Sequence, residues 1–185
     1  DMAGKPMFLQ FKRADCMVRS SATEISSYGL PLALPFYRFS ITEKNKSFQH
    51  ESLLQLDNGD NIVFYAAPRF HTFDEINDAW TSQEVAARSI FIDPAQIRSI
   101  ADNKRHHISY DEKLAYFCSE PEPIEFKTAD DVGELIEEKI TDDPRSVRDQ
   151  LTDWHQSILQ AERFSREIIT KRMRARISEP ESVTE

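Results

Sequence analysis

Residues 62–67, Ile62-Val63-Phe64-Tyr65-Ala66-Ala67, are the run that decides the fold. A strand turns successive side chains to opposite faces, so an unbroken apolar run has no face to offer water. Such a run reads as a central strand covered on both sides. Pro68 cannot donate to a ladder and stops it. Upstream, a helix is expected from about Lys46 to Leu56, with Phe48, Leu53, Leu54 and Leu56 on its apolar side and Asn58-Gly59 at its end. Before it, Pro35 introduces the alternating strand Phe36-Tyr37-Arg38-Phe39-Ser40-Ile41. Downstream, Thr72 and Glu75 form a capping box for a helix running to about Thr81. A second short helix is expected over Ser82 to Ala87. Ser89-Ile90-Phe91-Ile92 then reads as a strand closed by Asp93-Pro94. His107–Tyr110 and Leu114–Cys118 read as a hairpin around Asp111-Glu112-Lys113.

Further upstream, Met7 to Arg13 reads as the first strand. Ala14 to Leu34 reads as a long mobile loop with room for one short helical turn, because Ser20, Ser21, Ser26, Ser27, Gly29 and Pro31 break any period. The order of elements gives an α/β fold, a mixed central β-sheet flanked by helices, over residues 1–122. A C-terminal long-helix extension follows over 123–177. Thr128 caps its short helix, Pro144 sits at a first helical turn, and roughly thirty residues of unbroken helical periodicity complete it. Val147, Leu151, Trp154, Ile158, Ala161, Ile168 and Met173 form the seam. So long a seam suits packing partly on the domain and partly against a second chain or a partner protein through residues 145–176. Residues 178–185 read as a disordered tail.

Apolar residues make up 39% of the chain and charged residues 30%, with a formal charge of −9. That balance excludes a protein that coats nucleic acid nonspecifically, but leaves room for a local basic site. Cys16 and Cys118 have no metal-ligand spacing, which argues against zinc and suits a reducing cytoplasmic compartment. No run has the length of a membrane span, and no signal peptide is visible. The four glycines fall at neither dinucleotide-binding nor P-loop spacing. Asp1 precedes Met2, so it is either a remnant before a start at Met2 or the first residue of a trimmed chain.

The chemistry with the most specificity lies in Pro6-Met7-Phe8-Leu9-Gln10-Phe11-Lys12-Arg13. Gln10 and Lys12 share one face of the strand, and Leu9 and Phe11 share the other. An amide and an ammonium at the end of a buried strand are costly unless used. The same pattern also suits a solvated edge strand, where lysine discourages edge-to-edge pairing.

With Asp1 upstream, Gln10-Phe11-Lys12 resembles the PD-(D/E)xK pattern of restriction-endonuclease-like nucleases, in the variant where Gln stands for the acid. The resemblance covers roughly the first hundred and twenty residues as architecture, but its specific motif is three residues long. It implies a Mg²⁺- or Mn²⁺-dependent phosphodiesterase acting on, or a degenerate relative binding, nucleic acid. Asp1 and Gln10 would hold the metal, and Lys12 would orient water and stabilise developing charge. Gln49 falls where some branches of the superfamily carry an extra polar residue. Arg13 and Arg19 would contact phosphates.

Lys104-Arg105-His106-His107 is a compact basic stretch that suits phosphate contact or a plain exposed loop. His50 and His71 are candidates to line a cleft, and a small-molecule enzyme built on them is a further reading. The rival from another class is a noncatalytic interaction protein that uses the long helix. Cys16 and Cys118 have no nucleophile-and-base spacing, and the strand aromatics read as core.

Overall fold

The computed structural model describes residues 6–42, 47–57, 61–97, 100, 102, 104–118, 121–141 and 146–178. In chain order the elements are β1 (Met7–Phe11), β2 (Asp15–Met17), α1 (Thr23–Ser26), β3 (Phe36–Ile41), α2 (Gln49–Leu56), β4 (Ile62–Pro68), α3 (Phe73–Thr81) and β5 (Ser89–Ile92). Then come β6 (His106–Tyr110), β7 (Ala115–Phe117), β8 (Glu122–Ile124), α4 (Ala129–Thr141) and α5 (Val147–Ser178). The α/β class read from the sequence holds, and its strands are divided between two sheets. One has the order β1-β4-β5, with β1 parallel and β5 antiparallel to β4. The other is antiparallel, in the order β2-β3-β6-β7-β8.

The central strand is covered on both faces, as its composition requires. Val63, Tyr65 and Ala67 of β4 join Ile90 and Ile92 of β5 in one core, with Tyr37, Phe39 and Ile41 of β3 and Ile108 and Tyr110 of β6. The two sheets therefore pack face to face. Phe39 lies against Tyr65 and Tyr110 at ring separations of 5.8 and 6.1 Å. The Tyr110 hydroxyl crosses the layer to donate to the Pro68 carbonyl at 2.5 Å. Each such fully buried aromatic contributes on the order of 2–3 kcal/mol by leaving water. On the other face of β4, Ile62, Phe64 and Ala66 pack with Leu9 and Phe91 beneath Val132, Leu135 and Ile136 of α4.

The expected boundary at residue 122 therefore passes through β8, and α4 shares a core with the three-stranded sheet. Phe91 and Lys127 exchange two backbone hydrogen bonds just before that helix. Thr128 caps it, accepting from the Asp131 N–H at 3.2 Å. The long helix is α5, which packs against α2. Leu151 and Ile158 on it are 52% and 44% exposed.

The segment 14–34 carries more structure than its broken period suggests. Asp15–Met17 pairs with β3, and Leu30 and Leu32 are buried on Phe36. Gly29, at φ +64°, closes the turn that follows α1 in the left-handed conformation that glycine adopts without steric cost, donating to the Ile25 carbonyl at 3.1 Å. The helix expected over Ser82 to Ala87 is instead a series of turns, with Gln83 at φ 62°. Asp1, the Asn58-Gly59 stop, Pro144 and the tail from 179 lie outside the described residues.

Candidate functional site

Phe8 packs into the core between the sheets, and Leu9 packs into the core under α4. Alternation then sends Gln10 and Lys12 to the face that carries Phe8. The Lys12 N–H continues the ladder past the end of β1 by donating to the Ala66 carbonyl at 2.9 Å. Its side chain reaches over the Tyr65 ring, with Nζ 4.8 Å from the centroid, and Nζ donates to Gln49 Oε1 at 3.1 Å. Gln49 opens α2. The next residue, His50, is buried and shares a 2.8 Å hydrogen bond through Nδ1 with the Tyr65 hydroxyl. The His50 and Tyr65 rings lie nearly parallel, 6.1 Å apart.

Lys12, Gln49, Tyr65 and His50 thus form one linked polar group between β1, β4 and α2. Among the described residues, no carboxylate lies within ion-pair distance of the ammonium. Burial without such a partner lowers the Lys12 pKa from 10.5 to about 8. Burial, with the nearby Glu51 charge, raises the Tyr65 pKa far above 10, so its hydroxyl stays protonated. An amine titrating near neutrality can hold a phosphate charge in one state and accept a proton in the other.

Gln10 donates through Nε2 to the Phe11 carbonyl at 3.1 Å, and among the described residues its amide oxygen accepts nothing. Magnesium or manganese would need a set of hard oxygen ligands. The described residues supply the Gln10 amide, and no group of three His, Cys, Asp or Glu side chains is placed to hold a metal ion. They do not fit such an ion by themselves, and the chemistry derived below is that of Lys12.

The other candidates are dispersed. Arg13 and Arg19 are exposed on either side of β2, and Lys104 and Arg105 are exposed in the loop leading to β6. His71 serves the start of α3. Its Nδ1 lies 3.2 Å from Glu75 Oε2, which also accepts from the backbone N–H of His71 and Thr72 at 3.0 Å each. Those two N–H groups pull the Glu75 pKa down to about 2.

Sequence reasoning missed Tyr65. Its one legible signal was a hydroxyl inside an apolar run, which must find a partner when buried. It also missed a second cluster on the outer face of the five-stranded sheet. Glu24, fully buried, accepts through Oε1 from Ser109 at 3.0 Å and Arg38 at 3.2 Å, with His107 Nε2 at 3.3 Å. Burial pushes the Glu24 pKa up, but its own backbone N–H, Ser109 and Arg38 outweigh that and leave it below the usual 4.5. This cluster ties α1 to β3 and β6.

A scan against protein-family models finds no match, and searches of the curated proteins and of the solved structures find none. No helix among the described residues is long and apolar enough to cross a membrane.

Proposed function

We propose that this is a nuclease-like protein that binds nucleic acid at the Gln10–Lys12 strand, and that hydrolysis there with a metal ion needs oxygen ligands from outside the described residues. One observation carries the reading: Lys12 is a half-buried ammonium without a carboxylate partner among the described residues, oriented by Gln49 and the Tyr65 face. Proteins do not bury such a charge for stability, because desolvation costs more than one neutral hydrogen bond returns. A buried charge held ready for a phosphate is the arrangement that the PD-(D/E)xK resemblance implies. Lys12 would bind the phosphate and stabilise charge on it as the bond to the leaving oxygen lengthens. The setting proposed is the cytoplasm, in keeping with the two free cysteines.

The test is cleavage and binding of single- and double-stranded DNA and RNA, with Mg²⁺, Mn²⁺ or a chelator. It compares the chain with an N-terminally extended form and with Lys12→Ala. Metal-dependent cleavage, or binding, that is lost in Lys12→Ala is the expected outcome. No cleavage and no binding by either folded form would overturn it. A second reading, a homo-oligomer or a complex with a partner protein through 145–176, is favoured by the exposed Leu151 and Ile158 on α5. Sedimentation of the chain and of a form ending at 141 tests that reading. A monomer in both would end the homo-oligomer.

A further inference from the structure

A cleft of about 550 Å³ lies between the segment Ala33–Pro35, Tyr37 of β3, Arg69 and Arg88 on either side of α3, and the β6–β7 hairpin tip. It shares no lining residue with the Lys12 group. Its charges are unequal in availability. Arg88 is held by Glu84 at 2.6 Å and Asp78 at 2.8 Å. Asp111 is occupied by three backbone N–H groups, from Ala33 on Oδ2 at 2.7 Å and from Lys113 and Leu114 on Oδ1 at 2.8 Å each. Arg69, Lys113 and Glu112 remain, two cations against one exposed carboxylate. Among the described residues neither cation has a carboxylate partner, and the Arg69 guanidinium makes one hydrogen bond, to the Ala87 carbonyl at 2.8 Å. That bond orients the fork and leaves its other N–H groups available.

Tyr37 adds a hydroxyl to the lining. It is 9% exposed and stacks on Tyr110 at 5.9 Å, yet among the described residues its hydroxyl has no hydrogen-bond partner. The hydroxyl itself is not buried and reaches solvent through the cleft. Burial, first, and neighbouring charges raise its pKa above 10, so it stands in the cleft as a donor. The opposite wall is apolar, formed by Ala33, Leu34 and Pro35, with Leu34 45% exposed. Two available cations outnumber the one exposed carboxylate, Glu112, and with a hydroxyl donor facing an apolar wall they suit an anionic head on a flat, uncharged body. A guanidinium fork matches the oxygens of a phosphate. The volume is within the usual range for small-molecule sites, about 300–1,000 Å³.

We propose that this cleft binds a nucleotide, with its phosphate between Arg69, Lys113 and the Tyr37 hydroxyl and its base against Leu34 and Pro35. The ligand is either a free nucleotide or the phosphorylated end of an oligonucleotide. The inference stands apart from the Lys12 reading. The experiment is equilibrium dialysis of the full chain against a nucleoside 5′-monophosphate, the parent nucleoside, benzoate and a 5′-phosphorylated oligonucleotide.

Saturable one-to-one binding of a phosphorylated ligand is expected, without binding of the nucleoside or benzoate. The Kd should weaken about tenfold or more in Arg69→Gln and about fivefold in Tyr37→Phe. Lys113→Ala, at an exposed hairpin tip, reads the same loss should Arg69→Gln not fold. Displacement of the mononucleotide by the oligonucleotide supports a polymer end as ligand, and its absence supports the free nucleotide. Three outcomes overturn the proposal: no saturable binding of either phosphate ligand, affinity unchanged in both Arg69→Gln and Lys113→Ala, or equal binding of the nucleoside or benzoate.

Discussion

Replacing Lys12 by methionine keeps most of the side chain's length and removes its charge. In the folded chain burial lowers the Lys12 pKa from the ordinary 10.5 to about 8. A depression of that size corresponds to about 3 kcal/mol against the charged form. Water still reaches part of the side chain, so about 2 kcal/mol is the realistic figure. The sign follows from proton counting. Below pH 8 both folded and unfolded chains carry the proton, and the wild type bears the whole penalty. Between pH 8 and 10.5 the folded amine releases its proton first, so wild-type stability rises relative to the variant. Above 10.5 the penalty is gone.

Urea unfolding of wild type and Lys12→Met at pH 7, 8, 9 and 10.5 measures this. Lys12→Met should have the advantage at neutral pH, and that advantage should shrink by about 2 kcal/mol across the series. The gap in Tm should move by about 4–8 °C for a chain of this length. Comparing the two proteins at each pH cancels the titration of every other group. Two stability curves that run parallel from pH 7 to 10.5 would refute the reasoning. They would show that Lys12 is solvated in the folded chain and belongs to an ordinary edge strand. A confirmed result would mark the lysine as a group retained at a cost to stability, as functional groups are.

Three further outcomes can be checked by urea unfolding. Glu24→Ala should cost about 1–3 kcal/mol at pH 7, because it leaves the buried Ser109 hydroxyl unpaired and removes the partner of the partly exposed Arg38. The wild-type carboxylate contributes above pH 4.5 and loses that contribution as pH falls through its lowered pKa, so the two proteins should converge in acid. Thr72→Ala should cost about 1 kcal/mol by opening the capping box of α3. The Glu75 half of that box should persist until the pH falls from 4.5 towards about 2. Trp80→Ala, in contrast, should change stability by less than about 0.5 kcal/mol, since the side chain is 76% exposed on α3.

Local chemistry made much of this molecule legible in the sequence. The apolar run at 62–67 required cover on both faces, and β4 has it. Thr72 with Glu75, and Thr128 ahead of α4, marked helix starts because the cap is a contact between residues three apart. The β6–β7 hairpin followed from Asp111-Glu112-Lys113 between two strands. The shared face of Gln10 and Lys12 followed from the two-residue period of a strand.

What covers each face was another matter. Periodicity states that β4 is buried twice, but not that a five-stranded sheet lies on one side and α4 on the other. Those contacts join residues far apart in the chain, and no local pattern encodes them. For the same reason the sequence nominated Lys12, Gln49 and His50 separately. Only the approach of α2 to the β1–β4 pair joins them through Tyr65. Glu24 lay in a stretch with no readable period, and its burial depends on partners fourteen and eighty-five residues away. Spacing along a chain reveals which way a side chain faces. Only the packed chain decides what it meets there, and through burial whether an amine like that of Lys12 titrates near 8 or near 10.5.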